Sequence, residues 1–267
     1  MPESDPRLET VIQYMKSHWP SQVKSEWQVD LTEYPAILQR VLEDFTHSAT
    51  QNHHLIRIAG VSGSGKTTQI LPAVEAYCDK HNYHPILVAA RRFVKYHPYY
   101  QEIKDHYGED SLRKMTDEFA TILMFLTLST LLKSGYDIIL DVTLLDPEIE
   151  AILLDYIATE QYNVLILMIA VSPIVTEHFL SGRTWRHSRE TELEFIRATS
   201  QALQFYAGQA PDTHIIIWSV YDQPPIYDGP VKDCLPVFND YSSLEELPQQ
   251  DDDARRKAKI QYLTHLS

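Results

Sequence analysis

Apolar residues recur along this chain with a helical period in some stretches and as unbroken runs in others, and the two patterns alternate. Near the N-terminus, Leu8, Val11, Ile12 and Met15 follow the i, i+3, i+4, i+7 spacing of one helix face. Ser4 or Asp5 can cap that helix, Pro6 fits its first turn, and Pro20 stops it. Tyr34, Ile37, Leu38, Val41, Leu42 and Phe45 form a broad stripe that predicts a second helix over 32–47. Leu55 to Ala59 is a short apolar run and reads as a strand. From Thr67 to Lys80, Ile70, Leu71, Val74 and Tyr77 return to helical spacing. Ile86 to Val88 is the next strand. A short helix ends at Gly108, and a long one runs from Asp110 or Ser111 to Leu132. Tyr136 to Asp141 and Asn163 to Val171 read as strands around a helix from Pro147 to Thr159. A helix from Glu190 to Ala207 and a strand over Ile215 to Trp218 follow. Strands that are continuously apolar and alternate with helices predict a mostly parallel sheet covered on both faces.

The loop after the first strand carries the chemistry. Gly60-Val61-Ser62-Gly63-Ser64-Gly65-Lys66-Thr67 fits G-x-x-x-x-G-K-[ST], and it lies between a strand and a helix, the context this phosphate-binding motif requires. Gly60, Gly63 and Gly65 let the backbone curl where a Cβ would intrude. The N–H groups of Ser62, Ser64 and Thr68 and the helix N-terminus can then point at phosphate oxygens. Lys66 is expected on the β- and γ-phosphates and Thr67 on Mg²⁺, with ATP or GTP as the nucleotide. Asp141 ends a buried strand, where such enzymes place an acid near the metal; metal ligand and general base are both open to it. The fold class is therefore α/β, a three-layer P-loop kinase type. It divides into an N-terminal helical extension (1–50), a nucleotide domain (51–230) and a C-terminal tail packed on the core (231–267).

Composition changes this picture mainly by exclusion. Of 267 residues, 44% are hydrophobic and 22% charged, ordinary globular values. A net charge of −14 argues against broad binding to nucleic acid or anionic membrane, so a phosphate site must be a local basic patch. The two cysteines, Cys78 and Cys234, fit a reducing cytoplasm without a disulfide framework. No secretory signal is expected at the N-terminus. The apolar stretch from Phe119 to Leu132 is short for a membrane span and reads as a core helix. His81 and His84 lack a third ligand nearby, so zinc is not expected there.

Two further segments are candidates. Arg91 to Tyr100 follows the end of a strand, where open α/β sheets meet their ligands. Arg183, Arg186 and Arg189 are spaced by three and can line one helix face, as a lid that neutralises phosphate charge.

With these residues in place, the chain resembles the zeta toxin family, whose typical members are ATP-dependent kinases of UDP-N-acetylglucosamine. The likeness runs from about Ile56 to Asp228. Phe93-x-x-x-His97-Pro98-x-Tyr100 is similar to the family's Asp-x-Phe-(Arg/Lys)-x-x-His-Pro-x-(Phe/Tyr) acceptor loop. Ile139 to Thr143 resembles its strand ending in acid-x-Thr. Met168 to Val171 and the arginine segment resemble its strand and lid, and Tyr221 with Tyr227-Asp228-Gly229 its closing segment. The resemblance implies that Lys66, Asp141, Arg183, Arg186 and Arg189 serve catalysis and that Arg91, Phe93, His97 and Thr143 meet a small-molecule acceptor such as a nucleotide sugar. It also implies an antitoxin-like inhibitor, in trans or supplied in cis by the N-terminal helices.

One position departs from the family. Its general base is the first Asp of the acceptor loop, and Arg91 stands there. A guanidinium stays protonated and cannot take a proton. Two readings therefore stay open, a phosphotransferase working without that base and a nucleotide-binding switch without turnover.

Overall fold

Strands buried on both faces need apolar side chains at nearly every position, and the central strands have them. The computed structural model describes residues 6–18, 22–61, 63–144, 147–180, 189–221, 224–244, 247 and 252–266. Helices α1 (Pro6–His18) and α2 (Tyr34–Thr46) precede strand β1 (His54–Ala59). A widened π turn over Lys66–Ile70 leads into α3 (Leu71–His81), followed by β2 (Ile86–Val88). Next come α4 (Tyr100–Tyr107), α5 (Glu109–Lys133), β3 (Ile138–Asp141), α6 (Pro147–Thr159) and β4 (Asn163–Ala170). Helices α7 (Pro173–Leu180) and α8 (Arg189–Gln209), strands β5 (His214–Ser219) and β6 (Tyr227–Pro230), and helices α9 (Leu235–Ser242) and α10 (Asp252–His265) complete the described chain.

The sheet has the order β2-β3-β1-β4-β5-β6. The first five strands are parallel, and β6 adds an antiparallel edge that the sequence pattern does not announce. The chain leaves β1 toward β2 and β3 on one side and toward β4 and β5 on the other. The loop after β1 therefore opens at the switch point of the sheet, where ligands of α/β proteins bind. Register puts the end of β3 beside it, with Ile58 opposite Asp141.

Alternate residues feed opposite faces. Ile166, Met168, Ala170, Ile215 and Ile217 pack with Leu203 and Tyr206 of α8 and Phe238 of α9. Leu167, Ile169, Ile216 and Trp218 pack with Val74 of α3 and Leu263 of α10. Helix α5 is long and apolar enough to cross a membrane, yet 67% of its most apolar window is buried inside the protein, as befits a core helix. Val11, Met15, Ile37 and Val41 bury in the same cluster as α5 and β3. The N-terminal helices are thus a wall of the core rather than a detached arm.

Candidate active site

The phosphate loop owes its shape to its glycines. Gly60, Gly63 and Gly65 have φ of 133°, 77° and 95°. A Cβ on Gly60 would meet Ser64 Oγ at 2.9 Å and the Ile169 carbonyl at 3.3 Å, so no other residue fits without moving the loop. Thr143 donates to the Gly60 carbonyl at 3.2 Å, and Lys66 Nζ donates to the same carbonyl and to that of Val61 at 3.0 Å. Burial lowers the Lys66 ammonium to about 8, against the opposing pull of Asp141. Lys66 is thus folded back on its own loop. Thr67 and Thr68 are exposed at the start of the π turn. Ser62 lies outside the described residues, as do Arg183 and Arg186, whereas Arg189 is exposed at the start of α8.

Arg91 occupies the crevice in a way the sequence did not foretell. It sits in the short turn Ala90–Arg92 directly after β2, next to the end of β3. Its Nη1 lies 2.7 Å from Asp141 Oδ2 and 3.4 Å from Thr67 Oγ1. The Asp141 contact is an ion pair whose angle falls short of an aligned hydrogen bond, since Oδ2 accepts none. Arg92, its neighbour, turns away. It donates to the Leu87 carbonyl at 2.8 Å and lies 4.6 Å from the Phe45 ring centre. The donor set expected for Mg²⁺ is thus Thr67 and Asp141, and one guanidinium contacts both. No group of three or more histidine, cysteine or acidic side chains that could hold a metal exists among the described residues. As arranged, these residues do not fit a resident divalent cation.

Two expected acceptor contacts require correction. Phe93 is fully buried, packed 5.5 Å from Phe45 of α2. His97 is also buried, edge-on to Phe119 at 4.5 Å, and its Nδ1 accepts from the Tyr99 N–H at 3.2 Å. Burial pushes the imidazole down to about 4, so it stays neutral. Apolar packing wins over display at both positions, and they shape the loop from beneath. Tyr96 donates to Asp44 Oδ2 at 2.6 Å and packs with Phe45, so α2 grips the 90–96 loop through two of its side chains, Asp44 and Phe45.

Sequence reasoning missed three groups near the loop. Glu192, in the first turn of α8, is fully buried, and neither carboxylate oxygen has a hydrogen-bond partner among the described residues. Burial raises it to about 7; Lys66 pulls it down and Glu177 pushes it up. On α10, Lys259 and Arg255 are fully buried. Lys259 donates to Gln69 Oε1 at 3.0 Å inside the π turn, and Arg255 to the Val220 carbonyl at 2.8 Å. Helix α10 therefore buttresses the π turn through Lys259 and the end of β5 through Arg255, two buried cations one turn apart.

The Glu192 shift has a defined sign. Its folded value lies above the ordinary glutamate value of about 4.5. The stability it contributes is complete below that value and is lost as pH rises to about 7. Glu192→Gln has no such slope. We expect its stability relative to wild type to improve by up to ~3 kcal/mol between pH 4.5 and pH 8. Thermal melts of both proteins across that range check this; parallel melting curves would mean that Glu192 is ionised and solvated.

The zeta toxin family model matches residues 39–216. A chain of the PezAT chromosomal toxin–antitoxin system of Streptococcus pneumoniae superposes with a TM-score of 0.65 at 19% identity, covering 90% of this chain and 99% of that one. AvrRxo1-ORF1:AvrRxo1-ORF2 superposes with a TM-score of 0.50 at 11% identity, over 100% of this chain and 90% of that one. The same pair solved with ATP gives 0.50 at 10%, over 100% and 91%. At the level of sequence, no curated protein matches. These structural likenesses establish the fold, a kinase-type P-loop sheet. The family match spans most of that sheet, from α2 through β5, and on that ground the chain belongs to the zeta toxin family.

Proposed function

We propose that this protein is an ATP- or GTP-dependent phosphotransferase that acts on the hydroxyl of a small molecule, such as UDP-N-acetylglucosamine or another phosphorylated metabolite. The observation that carries the reading is the phosphate cradle itself. It combines a loop with three positive-φ glycines, a half-buried lysine at its mouth, and strand ends bearing Asp141 and Thr143 at the same edge. Phosphoryl transfer passes through a loose transition state, so positioning and charge neutralisation outweigh proton removal. Lys66 supplies charge at the β- and γ-phosphates. Arg189, with Arg183 and Arg186, is proposed to close over the γ-phosphate. The acceptor enters beside the 90–100 loop, where exposed Arg91 favours an anionic molecule.

The Arg91–Asp141 pair favours a second reading, a nucleotide-binding switch without turnover, because it ties up the acid nearest the loop. An antitoxin-like protein is a proposed partner under either reading. Inhibition in cis would act on the acceptor side, since Asp44 and Phe45 of α2 contact the 90–96 loop.

The test is transfer from γ-labelled ATP to a panel of acceptors headed by UDP-N-acetylglucosamine, with and without MgCl₂, and with Lys66→Ala as control. Lys66-dependent labelling of an acceptor is the expected result and names the substrate. Bound ATP with no labelled acceptor anywhere in the panel would favour the switch.

A further inference from the structure

We propose that Arg91 is a built-in cation that takes the place of the divalent metal at the phosphate site, so that nucleotide binds here as its metal-free anion. The inference rests on the reading of the loop as a nucleotide site and goes beyond it to the form of the ligand. Three features of the geometry carry it. First, one nitrogen, Nη1, reaches both side chains that would otherwise ligate the metal, at 2.7 Å from Asp141 Oδ2 and 3.4 Å from Thr67 Oγ1. Second, the Asp141 side chain is only 2% exposed, whereas that of Arg91 is 39% exposed. The acid is sealed behind the guanidinium, and a metal could reach it only by displacing Arg91. Third, the guanidinium has five N–H donors in a planar fork, and its recorded contacts in the crevice use Nη1 alone. Nη2 and Nε keep their donors for phosphate oxygens, which guanidinium groups bind in bidentate fashion.

The fold makes this placement stable. Strands β2, β3 and β1 are neighbours, so the residues just after their ends meet at one edge: Arg91, Asp141 and the phosphate loop. The adjacent Arg92 pins the turn from the other side through the Leu87 carbonyl and the Phe45 ring. A divalent ion brought to Thr67 would stand beside the Arg91 guanidinium, and the acid at that spot, Asp141, is already paired. Like charges at such close range repel. Nucleotide would instead meet Lys66 and Arg91 directly.

Isothermal titration calorimetry of ATP into the full chain, in MgCl₂ and in EDTA, decides the matter. The expected result is a wild-type affinity about 10-fold or more higher in EDTA than in millimolar MgCl₂, because Mg²⁺ withdraws the free ATP anion that the site takes. Arg91→Ala should bind about 10- to 100-fold more weakly in EDTA, the loss of a charge-assisted contact, and recover when Mg²⁺ is added. With ATP present, Mn²⁺ as a paramagnetic probe should bind to Arg91→Ala and not to wild type. Wild-type affinity that is equal or lower in EDTA would overturn the inference while leaving the nucleotide site standing. Absence of ATP binding by wild type in both buffers would overturn the nucleotide reading and this inference with it. The wild-type comparison needs no variant, so it decides even if Arg91→Ala is poorly folded.

Discussion

Alanine at position 66 is expected to lower nucleotide affinity by about 10- to 100-fold and any phosphoryl transfer by a further 10²- to 10³-fold, without destabilising the protein. The functional loss follows from geometry. Lys66 is the loop's own cation, and its ammonium now rests on the Gly60 and Val61 carbonyls. A phosphate entering the cradle would draw it off those carbonyls and gain a charge-assisted hydrogen bond. The stability argument has the opposite sign. Burial lowers Lys66 to about 8, well below the ordinary lysine value of about 10.4. A cation with a depressed folded value weakens the fold at neutral pH, and the cost is relieved as pH rises from about 8 to about 10.4. Lys66→Ala removes that cost, though it leaves two carbonyls without their donor, so its melting temperature should equal or exceed that of wild type at pH 7. Such an opposition is common where a site holds strain for function. Calorimetry and thermal melts of the two proteins check both arms. Undiminished ATP affinity in Lys66→Ala would show that phosphate does not sit in this loop.

The parts of the fold that the sequence announced are those governed by local rules. The strands from β1 to β5 are legible because burial on both faces demands unbroken apolar runs. The phosphate loop is legible because backbone curvature needs glycine at fixed spacing. Strand β6, Tyr227–Pro230, carries a glycine and a proline and no period, and only the neighbouring β5 makes it a strand. Helix α7 begins at Pro173, a start signal that could have been read.

The site residues divide in the same way. Lys66 is specified locally by the phosphate-loop motif, and Thr143 is singled out by the family resemblance. Arg91 and Asp141 were each singled out, but nothing in their separate contexts implied that they pair. That Glu192 is fully buried is a property of the packed fold, which no local pattern announces. Arg255 and Lys259 are spaced like an exposed helix face and point inward instead. Phe93 and His97 matched an acceptor-loop pattern, yet the apolar surface of α2 and α5 draws both into the core.

Glu150→Gln is expected to destabilise the protein by about 3–5 kcal/mol. Arg57, Glu150 and Tyr206 are almost fully buried. Arg57 Nη2 donates to Glu150 Oε1 at 2.7 Å, Nη1 donates to the Tyr206 hydroxyl at 2.7 Å and to Glu150 Oε2, and the Tyr206 hydroxyl donates to Glu150 Oε2 at 3.2 Å. The pair adds little net stability, since two ions were desolvated to make it, but removing one charge strands the other in the core. Glutamine keeps the shape and removes the charge, so the loss reports the stranded guanidinium. At about 2–4 °C per kcal/mol for a chain of this size, the melting temperature should fall by about 6–20 °C. Tyr206→Phe removes one hydrogen bond and should cost about 1 kcal/mol. The double variant Arg57→Met with Glu150→Met takes out both charges and should recover most of the loss. The network also bears on function. Arg57 lies three residues before Gly60 on β1, Glu150 is on the helix that follows Thr143, and Tyr206 is on the helix that starts with Arg189 and Glu192. One buried cluster thus ties together the three elements that hold the phosphate loop, Thr143 and Glu192 in place. If Glu150→Gln melts within ~2 °C of wild type, the Arg57 guanidinium has found water or another partner, and the cluster cannot be what positions β1.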